Sequence, residues 1–323
     1  MKAIRIAKTG GPDVLEYVDI DLPTPPPGHA QLRHTAIGVN FIDTYHRSGL
    51  YPVPLPATLG GEAVGIIEAL GDGVTGFHLG QRVGYCTQPL VGYADGANVR
   101  ADRLITLPPQ LGDDIAVAAM LKGMTVQFLL KRCFAVAPGQ TILWHAAAGG
   151  VGSIASQWAR ALGVQVIGTV GSDDKRSLAL EYGCAHVLNT RTEDWMEKVR
   201  ALTGGRGVPV VYDSIGKDTW DGSLNCLARR GMMVSFGNAS GPVPAFSPAV
   251  LAQKGSLFVT RPTLFDYVST QQELQATAND VFDLIVRGTI KIHIHAEFPL
   301  KEARAAHIAL HSRTTTGAIV LRP

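Results

Sequence analysis

Gly139-Gln-Thr-Ile-Leu-Trp-His-Ala-Ala-Ala-Gly-Gly-Val-Gly152 decides the fold. An apolar run, Thr141–His145, leads straight into a glycine turn. Beyond the turn, Ile154, Ala155, Trp158, Ala159 and Leu162 recur at helical spacing and predict a helix over Ser153–Leu162. Strand, glycine turn and helix in that order form a dinucleotide-binding unit, with a pyrophosphate held at the helix N-terminus. The G-x-G-x-x-G fingerprint reads here Ala147-Ala148-Gly149-Gly150-Val151-Gly152, with alanine in its first position. Gly149 lets backbone N–H groups approach the pyrophosphate, and Gly152 lets the helix pack closely on the strand.

Downstream of the turn, strand and helix signals alternate. Strands are expected at Gln165–Thr169, His186–Leu188, Val208–Asp213 and Met232–Phe236, and helices at Lys175–Tyr182, Trp195–Leu202 and Trp220–Leu227. This alternation predicts a doubly wound parallel sheet, a Rossmann domain, covered by helices on both faces. Upstream, residues 1–105 carry short β-type runs (Gln31–Ile37, Ala63–Leu70, Arg82–Cys86, Asn98–Ala101) broken by Gly and Pro. Helix-like runs at Asp114–Leu121 and Thr125–Cys133 join the two textures. A strand-like segment, Gly255–Val259, is read as a sheet edge. After it come a long helix, Thr270–Arg287, a helix near Leu300–His311 and a final strand, Ala318–Leu321. The chain ends as it began. The α/β arrangement expected is therefore a β-rich domain in two parts (1–122 and 265–323) with the nucleotide-binding domain (123–264) inserted between them.

Composition narrows the possible partners. The 323 residues are 46% hydrophobic and 17% charged, which fits buried cores rather than disorder. Lys and Arg (29) nearly balance Asp and Glu (27), and no basic run is present, so a nucleic-acid partner has no electrostatic support. No apolar stretch approaches the roughly 18 residues of a membrane span. Met1-Lys-Ala-Ile-Arg-Ile alternates like a strand and lacks a signal-peptide core. The four cysteines, Cys86, Cys133, Cys184 and Cys226, have neither disulfide-framework nor metal-ligand spacing, and a reducing, cytoplasmic setting is expected.

The choice between NAD and NADP rests on the tip of the second strand. NAD-binding chains place a carboxylate there, roughly 20 residues past the glycine turn, to hold the ribose 2′-hydroxyl. Here the tip reads Gly171-Ser172, followed by Asp173, Asp174 and Lys175. Gly171, Ser172 and Lys175 can receive a 2′-phosphate, and Asp173 and Asp174 either face solvent or cap the next helix. NADPH is the expected cofactor.

Other segments carry a family likeness. Asn40-Phe-Ile-Asp-Thr-Tyr-His-Arg-Ser-Gly-Leu-Tyr51, Gly60-Gly-Glu-Ala-Val-Gly65 and Gly80-Gln-Arg-Val83 resemble the catalytic domain of the medium-chain dehydrogenase/reductase superfamily. Gly139–Arg160, Val210–Gly216, Val234–Asn238 and Val259–Pro262 resemble its quinone oxidoreductase (zeta-crystallin) branch. The resemblance covers essentially the whole chain and implies a GroES-like β-rich catalytic domain around the Rossmann domain, in a homodimer whose Gly255–Val259 strands pair. It also implies that the cofactor is lined by Phe41, Ile42, Asp43, Thr44, Tyr45, Phe128, Gly150 and Val151. Further lining falls to Gly171 to Lys175, Thr190, Ser214, Phe236, Gly237, Asn238, Ala239, Pro262, Thr263, Leu264 and Arg313. Arg313 is expected to reach the 2′-phosphate. The branch often has an aromatic residue where Thr190 stands, and Arg191 is positioned to compensate.

Zinc-dependent members of that superfamily carry an early Cys and then Gly-His-Glu; the corresponding places here are Asn40 and Gly61, and Glu62 alone cannot hold zinc. His307 with His311, and His293 with His295, lack a third ligand nearby and read as surface or interdomain histidines. No metal is expected. Without a Lewis acid an alcohol is hard to oxidise, whereas an electron-poor quinone accepts a hydride and needs only hydrogen bonds at its oxygen. An NADPH-dependent quinone reductase is thus the leading expectation, with Asn40, Tyr45 and Tyr51 at the acceptor and nicotinamide pocket. An enone or 2-alkenal reductase, or a weakly active NADPH-binding protein, are the alternatives. Asp43 and Glu62 are expected to be structural.

Overall fold

The computed structural model describes residues 1–86, 90–312 and 314–323. Two compact units emerge. One comprises Met1–Met124, Tyr267–Arg287 and Ile292–Pro323, and the other Thr125–Asp266 and Gly288–Lys291.

The first unit is built on a mostly antiparallel seven-stranded sheet. Its order is Ile294–Pro299, Ala318–Arg322, His29–Val39, Glu62–Leu70, Arg82–Cys86 and Leu104–Thr106, with Gly96–Arg100 also paired to His29–Val39. The His29–Val39 strand alternates buried and exposed residues at its start and is wholly buried from Ala36, so it runs from surface to core. Leu32, Ile37, Val39, Ile67, Val83, Tyr85, Tyr93, Leu104, Ile319 and Leu321 form that core. A helix, Phe41–Ser48, follows the central strand directly, so Asn40 is the joint between sheet and helix. Its backbone is extended, as an N-cap requires, and the helix stops at Gly49, whose φ of 83° is left-handed. The helix expected over Thr270–Arg287 is Gln271–Val286, with Thr270 and Glu273 forming a capping box.

The second unit is a six-stranded parallel sheet in the order His186–Asn189, Gln165–Val170, Thr141–Trp144, Val208–Asp213, Leu227–Ser235 and Phe258–Thr260. The order reverses between Thr141–Trp144 and Val208–Asp213, the switch point at which such sheets bind nucleotides. Leu143, Ile167, Val199, Val208, Val211, Leu224 and Met233 lie in one core cluster. Phe258–Thr260 is the edge strand, and Phe258 is 57% exposed. No helix among the described residues is long and apolar enough to cross a membrane.

Three local expectations are corrected. The helix after the glycine turn opens at Gly150, with Gly149 as its N-cap, because Ser153 N–H already bonds Gly149 O at 2.8 Å. The two helix-like runs before the turn are one helix, Asp113–Phe128, continued by a wider turn over Leu129–Cys133. The strand expected at Met232–Phe236 begins at Leu227 and passes through a left-handed Arg230.

Candidate active site

In the second unit, every predicted cofactor residue except Phe128 lies just beyond the C-terminal end of a parallel strand. The glycine turn follows Trp144, Gly171–Lys175 follows Val170, and Thr190 follows Asn189. Ser214 follows Asp213, Phe236–Ala239 follow Ser235, and Pro262–Leu264 come soon after Thr260. The sheet therefore gathers them along one edge. Phe128 is buried at the end of its helix, next to Leu129, whose carbonyl accepts from the Tyr212 hydroxyl at 3.2 Å.

The turn itself is shaped for close approach. Ala147 N–H bonds Thr169 O at 2.9 Å, and Gly149 N–H bonds Ala146 O at 2.9 Å. A Cβ on Gly152 would lie 2.3 Å from Ala146 O and 2.7 Å from Ala147 Cα, and one on Gly149 would lie 3.2 Å from Ala146 O. Gly150, Val151 and Gly152 are the first helical residues, so their N–H groups have no acceptor within the helix and carry its positive end. This cradle fits a pyrophosphate.

At the second strand tip, the carboxylate of Asp173 neither caps the next helix nor stands alone. It accepts from Arg176 Nη2 at 3.2 Å and from Asn189 Nδ2 at 3.1 Å, and these bonds lower its pKa. Arg176 is itself anchored to Glu193 at 2.6 Å and to Val187 O. The far side of the tip is cationic. Arg191 Nε lies 3.9 Å from where a Cβ on Gly171 would stand. Burial lowers the Lys175 pKa; Asp174 opposes that shift and Arg191 adds to it, so the two cations are near enough to interact. Two positive groups beside an open glycine, with Asp173 engaged elsewhere, suit a dianion. Arg313 lies outside the described residues.

Asp213 organises the loop that carries Ser214. Its Oδ1 accepts from Ile215 and Gly216 N–H at 2.7 and 3.0 Å, and its Oδ2 from Thr219 and Ser223 hydroxyls at 2.7 and 2.8 Å. His145 Nε2 is 2.9 Å from Ser223 Oγ. Because Ser223 donates to the carboxylate, His145 donates from Nε2, and its Nδ1 accepts from Thr169 Oγ1 at 2.8 Å. Serine stands between acid and histidine here, and all three are fully buried. That order cannot activate a nucleophile; it braces the sheet beneath the turn. Farther along the edge, a Cβ on Gly237 would lie 2.5 Å from Ser214 O, and Ala239 N–H bonds that same oxygen at 3.1 Å. Phe236 packs 5.6 Å from Trp144, ring to ring.

In the first unit, Phe41, Ile42, Asp43, Thr44 and Tyr45 occupy the helix that starts after Asn40. Tyr45 is buried and meets the half-buried Tyr51 edge to face at 5.2 Å. The Asn40 amide is fixed at both ends: its Nδ2 donates to Glu62 Oε1 at 2.7 Å, and its Oδ1 accepts from Lys122 Nζ at 2.7 Å. Lys122 was not singled out by its sequence context. Glu62 Oε2 accepts from Leu121 N–H at 2.8 Å. Asp43 Oδ2 accepts from Asn40 N–H at 2.8 Å and from the Tyr93 hydroxyl at 2.9 Å.

Behind Asp43 runs a directed chain. Arg47 Nη1 is 3.0 Å from His307 Nδ1, so that nitrogen accepts and Nε2 bears the hydrogen, 3.0 Å from Tyr93 Oη. Tyr93 then donates to Asp43. His307 is fully buried, not the surface histidine its sequence context suggested. His293 precedes the strand Ile294–Pro299, so it does not share a strand face with His295. Among the described residues no group of three or more His, Cys, Asp or Glu side chains is placed to hold a metal.

These buried groups set a pH dependence. Burial drives His34 down to about 4 and His307, beside Arg47, down to about 3, from 6.5. Each binds a proton more readily when unfolded, so each costs stability as pH falls below 6.5. Burial pushes Asp43 up to about 7 from 3.8, despite its two hydrogen bonds. Its sign is opposite: it adds stability as pH falls from about 7 towards 3.8. Among these three, two histidines outweigh one aspartate, a net loss of about 1.4 kcal/mol per pH unit between pH 6.5 and 4, and His46 and His145, also lowered by burial, add to it. The melting temperature is expected to fall over that window, and more steeply in Asp43→Asn, which lacks the opposing group. A shallower slope in Asp43→Asn would contradict this assignment.

Comparison with known proteins agrees with this layout. The family described as "Alcohol dehydrogenase GroES-like domain" matches residues 26–109, and that described as "Zinc-binding dehydrogenase" matches residues 150–282. A quinone oxidoreductase of Pseudomonas aeruginosa is 51% identical over 323 residues, covering 100% of this chain and 99% of its own. A 2-haloacrylate reductase of a Burkholderia species is 46% identical over 99% of this chain and 98% of its own. The crystal structure of the Escherichia coli quinone oxidoreductase complexed with NADPH superposes with a TM-score of 0.98 at 47% identity, covering 100% of both chains. Full-length identity at this level, with the GroES-like and Rossmann units both matched, places the chain in the quinone oxidoreductase (zeta-crystallin-like) branch of the medium-chain dehydrogenase/reductase superfamily.

Proposed function

We propose that this protein is an NADPH-dependent quinone oxidoreductase that transfers hydride to a quinone without a metal. Full-length similarity to quinone oxidoreductases, one of them complexed with NADPH, is the observation that carries the reading. The strand-tip geometry supports the cofactor. Gly150, Val151 and Gly152 N–H groups hold the pyrophosphate, with Ala147 and Gly149 closing the turn. Gly171, Ser172, Lys175 and Arg191 receive the 2′-phosphate, while Asp173 and Asp174 border that site and Thr190 closes its far side. Ser214, Phe236–Ala239 and Pro262–Leu264 line the remainder, together with Phe128. When bound, NADPH supplies the hydride.

Asn40, Tyr45 and Tyr51 are assigned to the acceptor and nicotinamide, with Phe41, Ile42, Asp43 and Thr44 in the same helix shaping that wall. Of the two Asn40 Nδ2 hydrogens one goes to Glu62, which leaves the other for an acceptor oxygen or the ribose. The tyrosine pair offers an aromatic surface to a flat ring. Oxygen of a reduced quinone takes its proton from solvent or from a hydrogen-bonded group, so no dedicated acid is required.

The 2-haloacrylate reductase relative supports a second reading, hydride transfer to an electron-poor alkene. Turnover of a panel of benzoquinones against enals and 2-haloacrylates separates the two. The quinone reading expects the highest kcat/KM with a benzoquinone; a higher value with an alkene acid or enal would replace it.

A cytoplasmic homodimer fits the remaining features. The Phe258–Thr260 edge presents an exposed Phe258, and pairing two such edges would bury it. Light scattering is expected to give twice the 34.3 kDa chain mass, and Phe258→Asp to give monomers. A wild-type monomer would remove the dimer.

A further inference from the structure

The Asn40 amide is held by one group that can only donate and one that can only accept. Lys122 Nζ reaches Asn40 Oδ1 at 2.7 Å, and Glu62 Oε1 receives Asn40 Nδ2 at 2.7 Å. Lysine has no acceptor and an ionised carboxylate no donor, so the amide has one permitted orientation. The holders are themselves held. Lys122 Nζ lies 3.6 Å from Glu62 Oε1 and 3.4 Å from Val39 O, and Glu62 Oε2 takes Leu121 N–H at 2.8 Å. Lys122 is 7% exposed, Glu62 0% and Asn40 7%. A Cβ on Gly38 would lie 2.1 Å from Glu62 Oε1, so the neighbouring strand leaves only enough room for this carboxylate. Asp43, through Asn40 N–H, fixes the same residue's backbone.

A buried ion pair is weak evidence of stabilisation, since apolar replacements often serve as well. Its place beside Asn40 suits another role. We infer that Lys122 is a positioning residue for hydride transfer: with Glu62 it polarises and orients the Asn40 amide so that its free Nδ2–H always faces the reacting partners. The inference rests on the reading of Asn40 as the acceptor-side donor. The 2.7 Å bonds at both ends of the Asn40 amide come from this pair, so its orientation is set by Glu62 and Lys122.

Three proteins test it: wild type, Lys122→Met, and Glu62→Gln/Lys122→Met. In Lys122→Met, kcat with NADPH and 1,4-benzoquinone is expected to fall about 10- to 100-fold, the size of losing an oriented donor, with the NADPH Kd changed by no more than about threefold. Its melting temperature also falls, because Glu62 is left buried and unpaired. The double variant removes both charges and recovers the melting temperature but not kcat, because a glutamine amide can donate or accept and no longer dictates the orientation of Asn40. Wild-type kcat in the single variant, or recovery of kcat in the double, would overturn the inference. Wild-type turnover no faster than buffer would instead sink the proposed function. The inference is then read from the Asn40 side-chain amide NMR signals, assigned by their loss in Asn40→Ser. They are expected to shift and converge in Lys122→Met, and unchanged signals would overturn it.

Discussion

Gly152→Ala should abolish useful NADPH binding, raising its Kd on the order of 100-fold. The added Cβ meets Ala146 O at 2.3 Å and Ala147 Cα at 2.7 Å, and both belong to backbone. No rotamer change relieves such a clash, so the turn or the helix start must move. Overpacking of this kind costs about 1–3 kcal/mol or more, and the displaced groups are the N–H donors proposed for the pyrophosphate. The loss therefore falls on cofactor affinity as well as stability. Fluorescence titration with NADPH checks it, with Gly112→Ala as control, since a Cβ there meets nothing within 4 Å. Wild-type affinity in Gly152→Ala would remove the turn from the cofactor site.

The second large effect concerns cofactor choice. Lys175→Ala/Arg191→Ala should raise KM for NADPH about 100-fold and leave KM for NADH within about threefold. Charge-assisted contacts to phosphate contribute about 1.5–3 kcal/mol each, towards the lower figure where solvent reaches the site as it does at Arg191. NADH has no 2′-phosphate, so it never made these contacts. Asp173 does not reverse the preference, because Arg176 and Asn189 hold its Oδ1 and the Arg176 charge offsets its own. Equal losses with both cofactors would place the two cations elsewhere.

Much of this was legible in the sequence because it is local. The glycine turn, the alternation after it and the carboxylate-free strand tip at Gly171-Ser172 each lie within a few residues. The start of the helix at Gly150 was obscured by its glycines, which score as poor helix formers even where a cofactor turn needs them. Gly123 falls in the gap left between the two expected helix-like runs, Asp114–Leu121 and Thr125–Cys133. It sits inside one helix, Asp113–Phe128, and is glycine for packing: a Cβ there would lie 2.4 Å from Val281 Cγ1. Nothing in the sequence around Lys122 marks it, and its partners Asn40 and Glu62 are far away in the chain. Tertiary folding alone brings them together. His307 was misread for the same reason: nothing near it in sequence announces Arg47 or Tyr93.

Steady-state kinetics of the purified protein with 1,4-benzoquinone, run with NADPH and with NADH in the presence of a metal chelator, tests the central claim most directly. The account predicts chelator-insensitive turnover, one NADPH consumed per quinone reduced, and a kcat/KM for NADPH well above that for NADH. Turnover no faster than the uncatalysed reaction, a preference for NADH, or loss of activity on chelation would contradict it.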